Sequence, residues 1–176
     1  MQGTPGCPLF YLLCHNMEIR HASAGKDNLE EQIAYYKGKS LSELHKIAPR
    51  WAYGADADKI HDWGISPYQD RYIICLTDVG KLIQCADFGE VERMLLFTGE
   101  LLNDGRVARI LHRWEQLQYV DPPTIYITEG IDHRLVFVDG RHRTKIAYLV
   151  GSVQIPVAVE PGDMEIMKTM IPLCAV

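Results

Sequence analysis

Asp139-Gly140-Arg141-His142-Arg143-Thr144 packs two guanidiniums, an imidazole and a hydroxyl behind a single glycine. Directly before it runs the apolar stretch Leu135-Val136-Phe137-Val138, and after it come Lys145-Ile146-Ala147-Tyr148-Leu149-Val150-Gly151. If the chain turns at Asp139-Gly140 and begins a helix, the cationic side chains arrive where backbone N–H groups are unpaired and the helix dipole is positive. Phosphate binds well at such a place. The chemistry offered is therefore oxyanion binding. Asp139, Gly140, Arg141, His142, Arg143 and Thr144 are the candidate phosphate-binding residues. The amides of residues 141–143 would hold a phosphate, and Arg141 and Arg143 would neutralise charge on its oxygens. His142 would act as a proton donor or as a polar contact. A plain surface turn explains the same residues if the arginines pair with carboxylates and His142 is a structural hydrogen-bonder.

The elements that must position these groups can be read on either side. Residues 135–138 form a continuous apolar run, as in a strand buried on both faces. Asp139 can accept from backbone N–H groups ahead of it, and Gly140 tolerates backbone angles that other residues avoid. Ile146, Ala147 and Val150 share a face of the helix, and Gly151 suits the position just past its end. Ile155 to Val159 is a second β-branched run. Upstream, Leu102 to Gln118 reads as a helix. Arg109 and Arg113 lie four apart on one of its faces, while Ile110, Trp114 and Leu117 read as core. Local basic patches are expected at Arg106, Arg109, His112 and Arg113, and at Arg141, Arg143 and Lys145.

The run Asp139 to Gly151 followed by Ile155-Pro156-Val157 resembles the ParB/sulfiredoxin-like superfamily. Its members show a strand, then Gly-x-x-Arg or Gly-Cys-His-Arg, a helix ending near Leu-Gly, and Ile-Pro-Val. Leu102 to Gln118 resembles the helix before the family's first long strand, and Asp121-Pro122-Pro123-Thr124-Ile125-Tyr126-Ile127 resembles the lead-in to that strand. The resemblance covers roughly residues 91–160. It implies an α+β fold, a mixed β-sheet flanked by helices, with residues 91–176 as the domain and residues 1–90 as an N-terminal elaboration packed on it. It also implies a nucleotide at the basic turn, ATP or CTP, with Mg2+. Gly140, His142 and Arg143 match the phosphate-contacting motif. Arg141 stands where sulfiredoxins carry their catalytic cysteine, which argues against sulfinic-acid reduction. Relatives include NTPases, nucleases and inhibitors of DNA transfer, often in plasmid or phage DNA biology. The expected function is thus a nucleotide-binding protein, with NTP hydrolase or nuclease activity left open. His142, Arg143 and Glu100 are its candidate catalytic residues. Glu100 and Asp104 enter because the resemblance brings their segment near the turn, though Asp104 serves equally as a helix N-cap. The alternative is an inactive inhibitor or regulatory module that binds a protein partner, such as a DNA-transfer or nucleic-acid-handling factor.

Composition bounds these readings. The 176 residues are 47% hydrophobic, enough for one core, and the formal charge of −5 argues against a general nucleic-acid surface. Too few residues follow Val159 for a helix-turn-helix, so sequence-specific DNA binding is not expected. Cys7, Cys14, Cys75, Cys85 and Cys174 show no metal-site spacing and read as reduced thiols in a cytoplasmic protein. Pro8 to Cys14 is too short to span a bilayer and lacks a basic leader, so no membrane association is expected.

In the first ninety residues, Asp27 with Glu30 and Ser40 with Glu43 offer capping boxes before short helices. Residues 51–70 read as an aromatic-rich irregular connection. The group Asp56, Asp58, His61 and Asp62 reads as a solvated turn in preference to a metal site. Residues 71–76 and 81–86 look like two strands of a hairpin around Thr77-Asp78-Val79-Gly80, and Val91 to Phe97 looks like a further strand.

Overall fold

A computed structural model describes residues 28–59, 71–128 and 133–176. The fold is α+β, built on one six-stranded mixed sheet. Residues 28–37 form helix α1, and Leu41–Leu44 form α2, opened by the expected Ser40–Glu43 capping box. The expected box at Asp27, the segment Pro8 to Cys14 and the group around His61 and Asp62 lie outside the described residues. Of that last group, Asp56 pairs with Lys59 on the surface.

Strand β1 (Ile73–Asp78) runs into helix α3 (Val79–Cys85), where a hairpin was expected. The physical reason is local. The Asp78 carboxylate accepts the Lys81 N–H at 2.7 Å, an N-cap and not a hairpin turn. Val79, Leu82 and Ile83 are buried together at helical spacing. After the short β2 (Ala86–Asp87), residues 91–100 are irregular, and no strand forms at Val91 to Phe97. Helix α4 (Leu101–Glu115) follows. Then come β3 (Thr124–Ile127), β4 (Leu135–Asp139), α5 (Arg141–Leu149), β5 (Gln154–Val159), α6 (Met164–Met170) and β6 (Leu173–Ala175).

The strand order is β2-β4-β3-β5-β1-β6. β4 runs antiparallel to β3 and parallel to β2; β5 is parallel to β3 and antiparallel to β1. Two strands of the sheet, β1 and β2, thus come from before residue 91, so a boundary at 90/91 does not coincide with the sheet. Helices α4 and α5 pack on each other, and Val107, Ala108, Leu111, Trp114, Ile146 and Ala147 join one core cluster. Tyr36, Leu44, Ile47 and Trp51 belong to that cluster too. Trp51 meets Trp114 edge-on at 5.4 Å, and the Trp114 indole N–H donates to the Arg50 carbonyl at 3.1 Å.

α4 stops earlier than the sequence pattern implies. Leu117, beyond its end, has φ 59°, and the Gln118 N–H donates back to the Arg113 carbonyl at 2.8 Å. This is a Schellman closure with leucine at the position usually held by glycine. α5 ends in the same way on Gly151, with φ 91°. No helix among the described residues is long and apolar enough to cross a membrane.

Candidate phosphate-binding cleft

Helices α4 and α5 and the strands feeding them enclose an open cleft of about 630 Å3. Gly140 makes its floor. It takes φ 94°, and a Cβ there would stand 2.5 Å from Pro123 Cβ and 2.6 Å from Pro123 Cα. Only glycine allows the turn to pass so close to the lead-in to β3. The turn therefore delivers Arg141, His142 and Arg143 as the first residues of α5, beside Asp121. No side chain among the described residues caps this helix start, and the first amide used within the helix is that of Thr144, bonded to Gly140 O at 2.9 Å. The amides of residues 141–143 thus remain as donors.

The opposite wall is α4. Arg106, Arg109 and Arg113 recur at spacings of three and four and line the cleft with Arg141 and Arg143. Five arginines face two aspartates, Asp121 and Asp139, in a chain whose overall charge is −5. Among the described residues, Arg106, Arg109 and Arg141 form no ion pair. The Arg141 guanidinium reaches back to the Phe137 carbonyl at 3.5 Å and lies over Gly89, where its Nη1 is 3.2 Å from the place a Cβ would take. Arg143 is held differently. Its Nη2 donates to Asp139 Oδ2 at 2.6 Å and its Nη1 is 3.9 Å from Asp121 Oδ2. Asp139 Oδ1 also accepts the Gly140 N–H at 2.7 Å. Asp139 thus serves as the brace of the turn and holds Arg143 to it.

His142 also lines the cleft. Burial, with the charges of Lys145, Arg106 and Arg141 around it, pushes its pKa down to about 4. Its imidazole is neutral at pH 7, which suits a polar contact better than a standing proton donor. Val91, Ile110 and Val138 add an apolar flank. β4 is covered on one face only: Val138 is 61% exposed toward this side, where the apolar run implied burial on both faces.

Four expected participants stand elsewhere. Glu100 is the exposed N-cap residue of α4 and is not among the residues lining the cleft. Asp104 lies inside α4, buried, where it accepts the Thr98 and Gly99 N–H groups and pairs with Lys37 at 2.7 Å. Lys145 is fully buried, its ammonium bonded to Asn103 Oδ1 at 2.8 Å and to the Glu92 carbonyl at 2.9 Å, so it adds nothing to a basic surface. Thr144 is fully buried as well, and its hydroxyl does not line the cleft. Asp121 is the participant that the sequence pattern does not single out. No group of three or more metal-ligating side chains forms among the described residues. No protein-family model, curated protein or solved structure matches the chain.

Proposed function

We propose that this chain binds a nucleoside triphosphate, ATP or CTP, in the cleft between α4 and α5, as a nucleotide-binding protein of ParB/sulfiredoxin-like type. The observation that carries the reading is the convergence of five guanidiniums and an uncapped helix start on one cavity of about 630 Å3, within the range of small-ligand sites. The amides of residues 141–143 and Arg141 would take one phosphoryl group. Arg106, Arg109 and Arg113 follow α4 for seven residues, about 10 Å of helix rise, long enough to accompany a chain of phosphates. Val91, Ile110 and Val138 offer the base or sugar an apolar surface. The order strand, glycine turn, helix, strand supports the family reading, with β4, α5 and β5 in the expected places.

The cleft carboxylates do not form a cation site by themselves, because both oxygens of Asp139 are engaged by the turn. Mg2+ would arrive with the phosphates, with Asp121 as the available protein ligand. Turnover as an NTP hydrolase or nuclease would have to draw on Asp121 or neutral His142 as a base. Glu100 does not line the cleft and is assigned no such role.

The test is thermal. ATP or CTP at 100 times its dissociation constant should stabilise the protein by about 2.7 kcal/mol. That is about 5–11 °C in the melting midpoint at this chain length. Arg106→Ala/Arg109→Ala, which breaks no ion pair among the described residues, should abolish the shift while melting near wild type without ligand. Absence of any shift with ATP, CTP or tripolyphosphate would refute the proposal. A second reading, a regulatory module that engages a nucleic-acid-handling protein, draws on Met94, Leu95, Leu101 and Leu102. They are 53–68% exposed next to the start of α4.

A further inference from the structure

A second pocket, of about 310 Å3, adjoins the cleft across α4. Arg106 and Ile110 line only the cleft, His112 lines only the second pocket, and Arg109 and Arg113 line both. At 3.6 residues per turn, the two shared arginines form a ridge of α4 with a hollow on either flank. The far wall is α1, which supplies Asn28 and Gln32, and Gln118 joins from beyond the end of α4. Helix α1 lies close because Leu29 packs on a glycine: a Cβ at Gly105 would stand 3.4 Å from Leu29 Cδ2.

The chemistry changes across the ridge. Beyond the shared arginines, the second pocket presents side-chain amides and an imidazole, with no carboxylate among the described residues. Glu115, on the same stretch of α4, has its oxygens taken by Tyr36 at 2.6 Å and Lys39 at 3.3 Å. The Tyr36 hydroxyl gives its hydrogen to Glu115, so toward His112 Nδ1, 3.4 Å away, it can only accept. That assigns the hydrogen of the neutral ring to Nδ1 and leaves Nε2 as an acceptor. Gln32 Nε2 donates to Asn28 Oδ1 at 2.7 Å, which leaves the Asn28 amino group and the Gln32 carbonyl. This mixture of donors and acceptors matches a neutral base or sugar and not a further phosphate.

We infer that the ligand continues past its phosphates: it is a dinucleotide, two nucleosides joined through phosphate, that straddles α4. The inference rests on the phosphate-cleft reading above. One nucleoside sits against Val91, Ile110 and Val138, and the bridging phosphate lies on Arg109 and Arg113. The second nucleoside enters the pocket of Asn28, Gln32, His112 and Gln118. Linkage between two 5′ positions, or 3′ to 5′ as in a single strand, presents the same groups.

Calorimetric titration at fixed ionic strength compares each dinucleotide with a mononucleotide of equal charge. Diadenosine tetraphosphate is set against ATP and 5′-phosphorylated ApA against ADP, with the cytidine counterparts of all four. One linkage should bind about tenfold more tightly than its mononucleotide, the scale of one amide–base pair. Which one does so assigns the linkage. Gln32→Ala/Gln118→Ala removes two side chains that line the second pocket and not the cleft. It should abolish most of the margin and leave mononucleotide affinity at the wild-type value. If neither linkage outbinds its mononucleotide, the inference is overturned and the phosphate cleft stands. A margin that survives in the double variant overturns it too. The wild-type comparison decides the matter even if that variant fails to fold. If no nucleotide of either kind binds, the cleft reading falls and this inference with it.

Discussion

Replacing Lys145 with methionine should destabilise the protein and alter the cleft from behind. The Lys145 side chain is fully buried in α5 and its ammonium donates to Asn103 Oδ1 on α4 and to the Glu92 carbonyl in the irregular segment before α4. Asn103 donates in turn to the Leu96 carbonyl and to Asp104, which gathers the Thr98 and Gly99 amides. One buried cation therefore ties residues 92–99 to both helices that wall the cleft. Methionine matches the unbranched stem closely enough to limit any cavity. The Glu92 carbonyl belongs to an exposed residue and can return to water, but the Asn103 side chain is only 7% exposed. The stranded Asn103 oxygen then sets the scale, about 1–3 kcal/mol. Relief of the ammonium from burial, which holds its pKa below the ordinary lysine range, keeps the loss from being larger. The expected fall in melting midpoint is about 2–12 °C. Lys145→Ala adds a cavity and should cost more. A second readout is independent of stability. After burial, the charge of Lys145 is the largest influence lowering the His142 pKa. NMR titration of Lys145→Met should find His142 above its wild-type value of about 4. A variant that melts with wild type and titrates identically at His142 would refute the reasoning.

Other expectations are simpler. Gly140→Ala forces a side chain into Pro123 at φ 94° and should cost more than about 2 kcal/mol, read by denaturant unfolding. Leu117→Gly relaxes a left-handed leucine that is 62% exposed, so it should stabilise by about 0.5–1 kcal/mol; a loss of stability would show that the leucine side chain contributes packing worth more than the strain. His142 has its folded pKa at about 4, below the ordinary 6.5. Between those values the unfolded chain binds a proton that the folded chain does not, so stability falls as pH drops from about 6.5 to about 4. His142→Gln should flatten the melting curve against pH in that window. Buried Asp104 and half-buried Glu115, both held low by their hydrogen bonds against the pull of burial, lose their contribution only at its acid end and below.

What the sequence made legible follows from how local its cause is. The turn at Asp139-Gly140 and the end of α5 at Gly151 were readable because each needs a residue of special backbone freedom, and glycine announces it. The end of α4 uses the same closure with Leu117, whose side chain carries no such signal, so the helix pattern runs past the true stop. The hairpin expected at residues 71–86 failed because Thr77-Asp78-Val79-Gly80 reads as a turn. Asp78 reads equally well as an N-cap, and the burial of Val79, Leu82 and Ile83 against the sheet decides between them. The cationic role expected of Lys145 failed for a tertiary reason: nothing near it in sequence indicates that Asn103, forty-two residues away, supplies its partner.

The candidate site divides along the same line. Donors were legible, because arginines at helical spacing and at a glycine turn converge whenever α4 packs on α5. The carboxylate Asp121 carries no such signal in its own spacing, although the cause of its unanswered oxygen is written in three consecutive residues. Asp121-Pro122-Pro123 places a carboxylate where the backbone cannot answer it, and Pro123 is also the atom group against which Gly140 must close. The proline that denies Asp121 an internal donor is thus the one that sets the turn delivering Arg141 to Arg143. If the cleft binds phosphate as proposed, stability and recognition are coupled at that contact. A substitution at Pro123 that restores an N–H should quiet the Asp121 oxygen, while any shift of its ring would loosen the turn that aims the guanidiniums.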